Sequence, residues 1–410
     1  MGDRILVVGT YDTKDDELTY LAGVIRAQGG TALTMDVSVL GEPKAPADWS
    51  KHQVIEAGGS TIAEAIAAED ENFAMQAMAR GAAALAARLH REGVFDGVIV
   101  LGGSMGTDLA LDLCAALPLG VPKYVVSTVS FSPMLPPERL APDIQMILWA
   151  GGLYGLNSVC KSSLSQAAGA VLGAARAVEP PRRDLPLIGM TGFGKTVLRY
   201  MVVLKPELEK RGFEVAVFHA TGMGGRAFES LAAEGAFACV MDFAPQEVGN
   251  HLFGSAISAG PDRMTNAGRR GIPQMVAPGC YDLVDVVGWH TPPERFRDNP
   301  SHAHNRLLSS YVQSAEERRM MAREMAAKLA GAAGKTSLFL PKRGCNEWDR
   351  EGAPLADAEG LAAFCEEVRK TCPPNVELIE LDCHINDEGF AAAVLALFDR
   401  WLAEGVVRRN

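Results

Sequence analysis

Between the apolar run GVIVL and the start of a helical pattern stand Gly102, Gly103, Ser104, Met105, Gly106 and Thr107. Their types suit the holding of an anion. Glycine lets backbone amides approach a ligand closely, and the two hydroxyls add donors. The spacing is not G-x-G-x-x-G, so the dinucleotide fingerprint is not met. A tight strand-to-helix packing turn is the other use of such glycines. A second stretch of this kind, Gly9-Thr10-Tyr11-Asp12-Thr13-Lys14, follows the strand-like ILVV. Thr10 and Thr13 offer hydroxyls, Lys14 a charge, and the following helix its N-terminal amides. Asp12 suits a Mg²⁺ ion bridging phosphates; alternatively Asp12 or Thr13 caps the helix. A third stretch, Ser127 to Ser132, carries four hydroxyls, with Ser127 placed to line the same pocket.

The second half has its own loops. Gly189 to Thr196 reads GMTGFGKT, a literal match to G-x-x-x-x-G-K-[ST]. A phosphate loop built on Lys195 and Thr196 would take Asp242 as its second acid; otherwise Lys195 points to solvent. HATGMGG then places His219, Thr221, Gly222, Gly224 and Gly225 between a strand and a helix. Together with Thr191 and Gly194, these loops are candidate ligand contacts. An imidazole in that position suits acid–base work near neutrality. His219, Asp242, Arg263 and His304 are the candidate catalytic residues. His302 and His304 are spaced as a metal pair, but no third ligand stands at a recognisable distance in sequence.

Such loops need strand ends to hold them. Short β-branched runs alternate with amphipathic stretches along the whole chain. Strands are expected at 4–9, 31–36, 97–101, 123–127 and 145–148, with helices at 15–28, 61–91, 106–116 and 159–178. After Glu179-Pro180-Pro181-Arg182-Arg183, a linker-like segment, the alternation resumes. Strands follow at 185–190, 214–219, 237–242, 274–277, 336–340 and 376–381, and helices at 196–211, 225–234, 261–270, 314–333, 357–371 and 387–404. Residues between 281 and 313 read as a long, proline-bearing loop. This pattern predicts an α/β fold of two Rossmann-like, doubly wound lobes with mostly parallel sheets, over 1–180 and 184–410. The anion loops then fall at the carboxyl ends of strands, where open parallel sheets bind ligands.

Composition narrows the function. The 410 residues are 48% hydrophobic and 22% charged, the balance of a globular protein, and carry a formal net charge of −11. Nucleic acid is excluded as the main partner because a phosphate backbone needs a basic surface. No run approaches a membrane span of about 20 apolar residues, and the N-terminus lacks a signal-peptide pattern, so a cytoplasmic protein without a membrane partner is expected. The eight cysteines form no C-x-x-C pair and are expected as buried free thiols.

The segments GTYDTK, LGGSMGT, GMTGFGKT, HATGMGGRAFE, SAGPDR, GIPQMVAPGCYD, HAHN and HINDEGFA, in this order, carry a resemblance. The chain resembles the tomato mosaic virus resistance protein-like ATP-binding family over nearly its whole length. The resemblance implies two Rossmann-like subdomains, ATP binding and a homodimer. It maps the family's first nucleotide loop onto Gly9, Thr10, Asp12, Thr13 and Lys14, and its second onto Gly102, Gly103, Ser104, Gly106 and Thr107. It also implies that the fourth loop needs no lysine, so Lys195 completes the phosphate-loop string by coincidence. The plant family's additional C-terminal barrel is not expected here. The leading expectation is an ATP-binding protein with Mg²⁺ near Asp12, using ATP to activate or phosphorylate a small polar or carboxylate metabolite in a cleft between the lobes. The alternatives are a nucleotide-sensing module acting on a protein partner, a phosphate-loop ATPase using Lys195, and a sugar-phosphate or acid-binding protein that uses no ATP.

Overall fold

The computed structural model describes residues 2–152, 154–179 and 184–409. The chain divides into two compact units, Met1–Pro181 and Arg182–Asn410. Residues 180–183 of the expected linker lie outside the described residues.

The first unit runs β1 (Arg4–Gly9), α1 (Asp15–Ala27), β2 (Thr31–Asp36), α2 (Lys51–Ala57), α3 (Ile62–Ala67), α4 (Glu71–Arg91), β3 (Gly97–Gly102), α5 (Ser104–Ala115), β4 (Lys123–Ser127), β5 (Ile144–Leu148) and α6 (Ser158–Ala177). Its five strands form one parallel sheet in the order β2-β1-β3-β4-β5. The alternation of side chains along each strand fills two cores. Ile5, Val7, Ile99, Leu101 and Val126 meet α1 and α6 on one face. Leu6, Val8, Val98, Val100 and Val125 meet α4 and α5 on the other. Central β3 is buried along its full length, as a parallel strand covered on both faces must be. Gly81 of α4 permits close approach of α2: a Cβ there would lie 2.1 Å from the Val54 carbonyl oxygen.

One expected helix is two. The stretch 61–91 breaks after α3, at Glu69 with φ +50, and restarts under Asp70, whose carboxylate accepts from the Asn72 and Phe73 amides. An N-cap of this strength ends one helix and begins another.

The second unit runs β6 (Leu187–Gly192), α7 (Gly194–Lys210), β7 (Glu214–His219), α8 (Met223–Glu234), β8 (Phe237–Asp242), α9 (Gln246–Leu252), α10 (Asn266–Arg269), β9 (Gln274–Val276), β10 (Leu283–Val287), β11 (Ser301–Ala303), β12 (Leu308–Val312), α11 (Ala315–Ala330), β13 (Thr336–Pro341), α12 (Ala358–Thr371), β14 (Val376–Leu381) and α13 (Glu388–Ala403). Six strands form a parallel sheet ordered β14-β13-β9-β8-β6-β7. The fold is therefore α/β with mostly parallel, doubly wound sheets. The stretch read as a loop between 281 and 313 instead carries a three-stranded antiparallel sheet, β10-β12-β11. Its strands are three to five residues long, and prolines lie between β10 and β11, so periodicity could not single them out. All eight cysteines are free thiols; Cys372 and Cys383 are half-buried and the rest buried. Among the described residues no helix is long and apolar enough to cross a membrane.

Candidate functional site

In the first sheet the chain leaves β1 towards β2 on one side, while β3 lies on the other. The loops after β1 and β3 therefore diverge, and a crevice opens at their carboxyl ends. A cavity of about 690 Å³ lies there. Thr10, Asp12, Thr13 and Lys14 line it from the first loop, Gly102 to Gly106 from the second, and Thr128 and Val129 from the third. The sequence thus places three separate loops at one cavity.

The polar wall is chemically uneven. Helix α5 begins at Gly103 with no side-chain cap and no acid in its first turn. Its first intrahelical bond runs from the Thr107 amide to the Gly103 carbonyl at 2.8 Å. The amides of Ser104, Met105 and Gly106 are left without an intrahelical acceptor, as an anion requires. Helix α1 is the opposite. Asp15, Asp16 and Glu17 occupy its first turn, which offsets its dipole. In its loop, the Thr10 and Thr13 hydroxyls bond each other at 3.0 Å. Asp12 Oδ2 accepts from the Gly41 amide at 3.2 Å, and the Asp12 amide donates to Ser38 Oγ at 3.1 Å. Asp12 Oδ1 is buried and has no hydrogen-bond partner. Such an orphaned carboxylate oxygen fits a hard cation.

The opposite wall escaped the sequence reading. Val37, Val39 and Leu40, which follow β2, and Ala65, Ile66, Ala74 and Met75 from α3 and α4 give an apolar surface, with Glu69, Asp70 and Glu71 between them. The available signal was Asp70, a strong cap inside what otherwise reads as one alanine-rich helix.

Some expected contacts lie behind the wall. Gly9 is buried, and a Cβ there would come 2.8 Å from both methyls of Leu18, so this glycine lets the strand end pack on α1. Thr107 and Ser127 are fully buried and hydrogen-bond each other through their hydroxyls at 2.6 Å. They tie the second and third loops together rather than meeting a ligand.

In the second unit the string Gly189–Thr196 is not a phosphate loop. Gly189 to Gly192 belong to β6, and Gly189 pairs with both Ala216 and Val240. A Cβ at Gly189 would meet the Phe237 ring at 2.8 Å. Only Phe193 separates strand from helix, too short a connection to cradle phosphates. Lys195 is exposed, while the buried Thr196 hydroxyl accepts from the Glu347 amide at 3.1 Å.

Arg263 and Asp242, expected at a ligand, are instead sealed in the interior. The Arg263 guanidinium is wholly buried. It donates to both oxygens of Asp242, to Glu247 Oε2 at 2.7 Å, to Glu229 Oε1 at 3.4 Å and to the Ala244 carbonyl at 3.3 Å. Every N–H of the side chain is thereby used. Thr191, also buried, donates to Asp242 Oδ1 at 2.7 Å. Glu247 in turn accepts from the amides of Gly222 and Gly225 at 2.5 and 3.2 Å. The glycine turn after His219 thus does bind an anion, but that anion is a carboxylate of the protein. A Cβ at Gly225 would lie 2.0 Å from Glu247 Oε2, and one at Gly224 would lie 1.8 Å from the His219 carbonyl oxygen, which explains both glycines.

His219 and His304 do come together. Both flank Phe193, His219 stacked at 5.9 Å and His304 edge-on at 5.2 Å. His302 lies 4.7 Å from His304 and stacks on Trp348, beside which Gly194 turns with φ +51. Thr221 Oγ1 stands 3.5 Å from His219 Nδ1. His304 Nε2 meets Ser310 Oγ at 2.9 Å, and Ser310 donates onward to Asp285 across the β10–β12 pairing. That chain assigns the proton to Nε2 and leaves Nδ1 as the acceptor of the ring. Burial, then His302 and His219, push the His304 pKa down to about 4. A resonance of this ring is accordingly expected to titrate near 4, well below a free imidazole at about 6.5, in a pH series of imidazole carbon–proton spectra. Because the folded value lies below the unfolded one, the associated stability is full above about 6.5 and is lost as pH falls through about 4. Among the described residues no group of three His, Cys, Asp or Glu is placed to hold a metal ion.

The sequence profile described as the N-terminal domain of an uncharacterised protein family (UPF0261) matches residues 3–180, and that of its C-terminal domain matches residues 185–402. The chain belongs to the UPF0261 family. A UPF0261 protein of Brucella melitensis is 56% identical over 404 residues, covering 98% of this chain and 97% of its own. A UPF0261 protein of Clostridium tetani is 36% identical over 396 residues, covering 96% of this chain and 98% of its own. The tomato protein behind the resemblance noted from the motifs, the ToMV resistance protein Tm-1(GCR237) of Solanum lycopersicum, is 28% identical over 425 residues. That match covers 96% of this chain and 55% of the tomato protein. The family is thus UPF0261, which the motifs alone did not name, and the tomato protein is a more distant relative of this UPF0261 chain.

Proposed function

We propose that the first unit binds ATP in the cavity at the ends of β1 and β3. The observation that carries this reading is the pairing of walls: uncapped α5 amides and loop hydroxyls on one side, an apolar surface on the other. Phosphates suit the first and an adenine ring the second. The volume of about 690 Å³ lies in the range of small-molecule sites. Asp12, with one oxygen unpartnered, is the residue that would hold Mg²⁺, and the ion would offset charge on the phosphates. Lys14 stands on the same loop.

The alternative phosphate-loop reading has no support in the geometry of β6. The role of ATP, consumed in activating a metabolite or bound as a signal, remains part of the proposal, with consumption the leading form. Calorimetric titration of the full chain with ATP and Mg²⁺ is expected to give saturable binding at one site per chain, with weaker binding for adenosine. Adenosine binding as tightly as ATP, or no saturable heat with either, would overturn the reading. Sedimentation with and without ATP reads out the homodimer implied by the resemblance.

A further inference from the structure

We infer that the first-unit cavity selects its purine by the exocyclic amine, and that Asp70 is the residue that recognises it. This rests on the nucleotide reading above and narrows it: the site takes an amino-bearing purine and rejects the same ring with a carbonyl in that place.

The wall opposite the α5 amides is apolar apart from one short segment. Leu40 and Ile66 on that wall are 78% and 46% exposed. Apolar surface left open along a cavity suits the face of a flat ring. Among the described residues lining this wall, the polar side chains are Glu69, Asp70 and Glu71. All three end in carboxylates, which accept hydrogen bonds and do not donate them.

The three acids differ in how firmly they are held. Glu69 and Glu71 are exposed, and among the described residues neither side chain has a hydrogen bond or an ion pair. Asp70 caps α4, its Oδ1 accepting from the Asn72 and Phe73 amides at 2.8 and 3.1 Å. Those two bonds fix the carboxylate, and Oδ2 is left over as an acceptor. An acceptor fixed in this way loses little freedom when a ligand binds. The helix break makes the arrangement possible. Because α3 ends at Ala67 and Glu69 turns with φ +50, the amides after Asp70 are free to meet its side chain. In an unbroken helix those amides would bond to backbone carbonyls one turn earlier.

A wall whose side chains only accept is complemented by a ring edge that donates. Adenine carries an amino donor at C6. Hypoxanthine is the same purine with a carbonyl oxygen at C6, and that oxygen would face a carboxylate oxygen. Two acceptors set against each other leave both unpaired, which is how a site built for a donor rejects the analogue that lacks it.

The test is calorimetric titration of the full chain with ATP, with ITP and with inorganic tripolyphosphate, each with Mg²⁺. Wild type is expected to bind ITP about tenfold or more weakly than ATP. Asp70→Asn keeps the cap, because asparagine caps helices as well as aspartate does, and sets an amide donor in the place of Oδ2. That variant is expected to lose the preference for ATP or reverse it, with its thermal midpoint unchanged. Its tripolyphosphate affinity should match that of wild type, because this probe has no base. Equal affinity of wild type for ATP and ITP would overturn the inference and leave the nucleotide reading standing. So would an ATP-to-ITP ratio in Asp70→Asn equal to that of wild type. Weakened tripolyphosphate binding or a lowered midpoint in the variant would show that Asp70 serves only to hold the wall, and would also overturn the inference. If wild type binds neither nucleotide, the nucleotide reading fails and the inference falls with it.

Discussion

Arg263→Met is expected to destabilise the second unit by about 3–5 kcal/mol, the range for removing one partner of a buried ion pair. Among the described residues, the guanidinium is the cation paired with Asp242, Glu229 and Glu247, whose side chains are at most 3% exposed. Removing it leaves three carboxyls facing one another in a low dielectric and frees Glu247 from the side that holds it under α8. Burial, opposed by Arg263, already pushes the Glu229 pKa up to about 7. The folded value lies above the unfolded one, so the stability from protonated Glu229 is full below about 4.5 and is lost as pH rises through about 7. Urea unfolding of wild type and variant at neutral pH measures the difference. A change below about 1 kcal/mol, the range of an exposed pair, would show that the network is solvated and that Arg263 is available to a ligand.

The second large effect is on binding. Gly102→Ala is expected to weaken ATP binding about a hundredfold, whereas Gly103→Ala should change it no more than a few-fold. A Cβ at Gly102 would lie 2.6 Å from the Gly106 Cα and 3.1 Å from the Thr107 amide nitrogen, all backbone of the first turn of α5. That turn must shift, and the amides offered to the phosphates shift with it. A displacement of about 1 Å at a reacting or recognised group is enough for such a loss. At Gly103 the nearest atom is Thr128 Oγ1, 3.8 Å away, so a methyl fits. Equal affinities for the two variants in the same titration would remove α5 from the site.

Much of this was legible in the sequence because parallel strands announce themselves as buried apolar runs and the loops after them carry glycine. The two doubly wound sheets and the loops at Gly9–Lys14 and Gly102–Gly106 come from signals local to a few residues. What was not legible depended on distant partners. The glycines after His219 look like any anion-binding turn until Glu247, more than twenty residues on, is seen to fill it. Arg263 and Asp242 have the types of catalytic residues, and only their burial makes them structural. GMTGFGKT matches a phosphate-loop string residue by residue, yet the strand ladder runs through its first four positions. The apolar wall of the cavity was missed because Asp70, a cap, was absorbed into a helix.

The central claim is that a nucleotide sits in the first unit, and it is tested most directly by comparing ATP affinity in three proteins. Wild type is set against Asp12→Ala with Thr13→Ala, and against Lys195→Ala, by calorimetry with and without Mg²⁺. Loss of charge-assisted hydrogen bonds worth about 1.5–3 kcal/mol predicts a ten- to hundredfold weaker affinity in the first variant alone, with its Mg²⁺ dependence diminished. Unchanged binding there, with binding lost in Lys195→Ala, would contradict the account and move the nucleotide to the second unit.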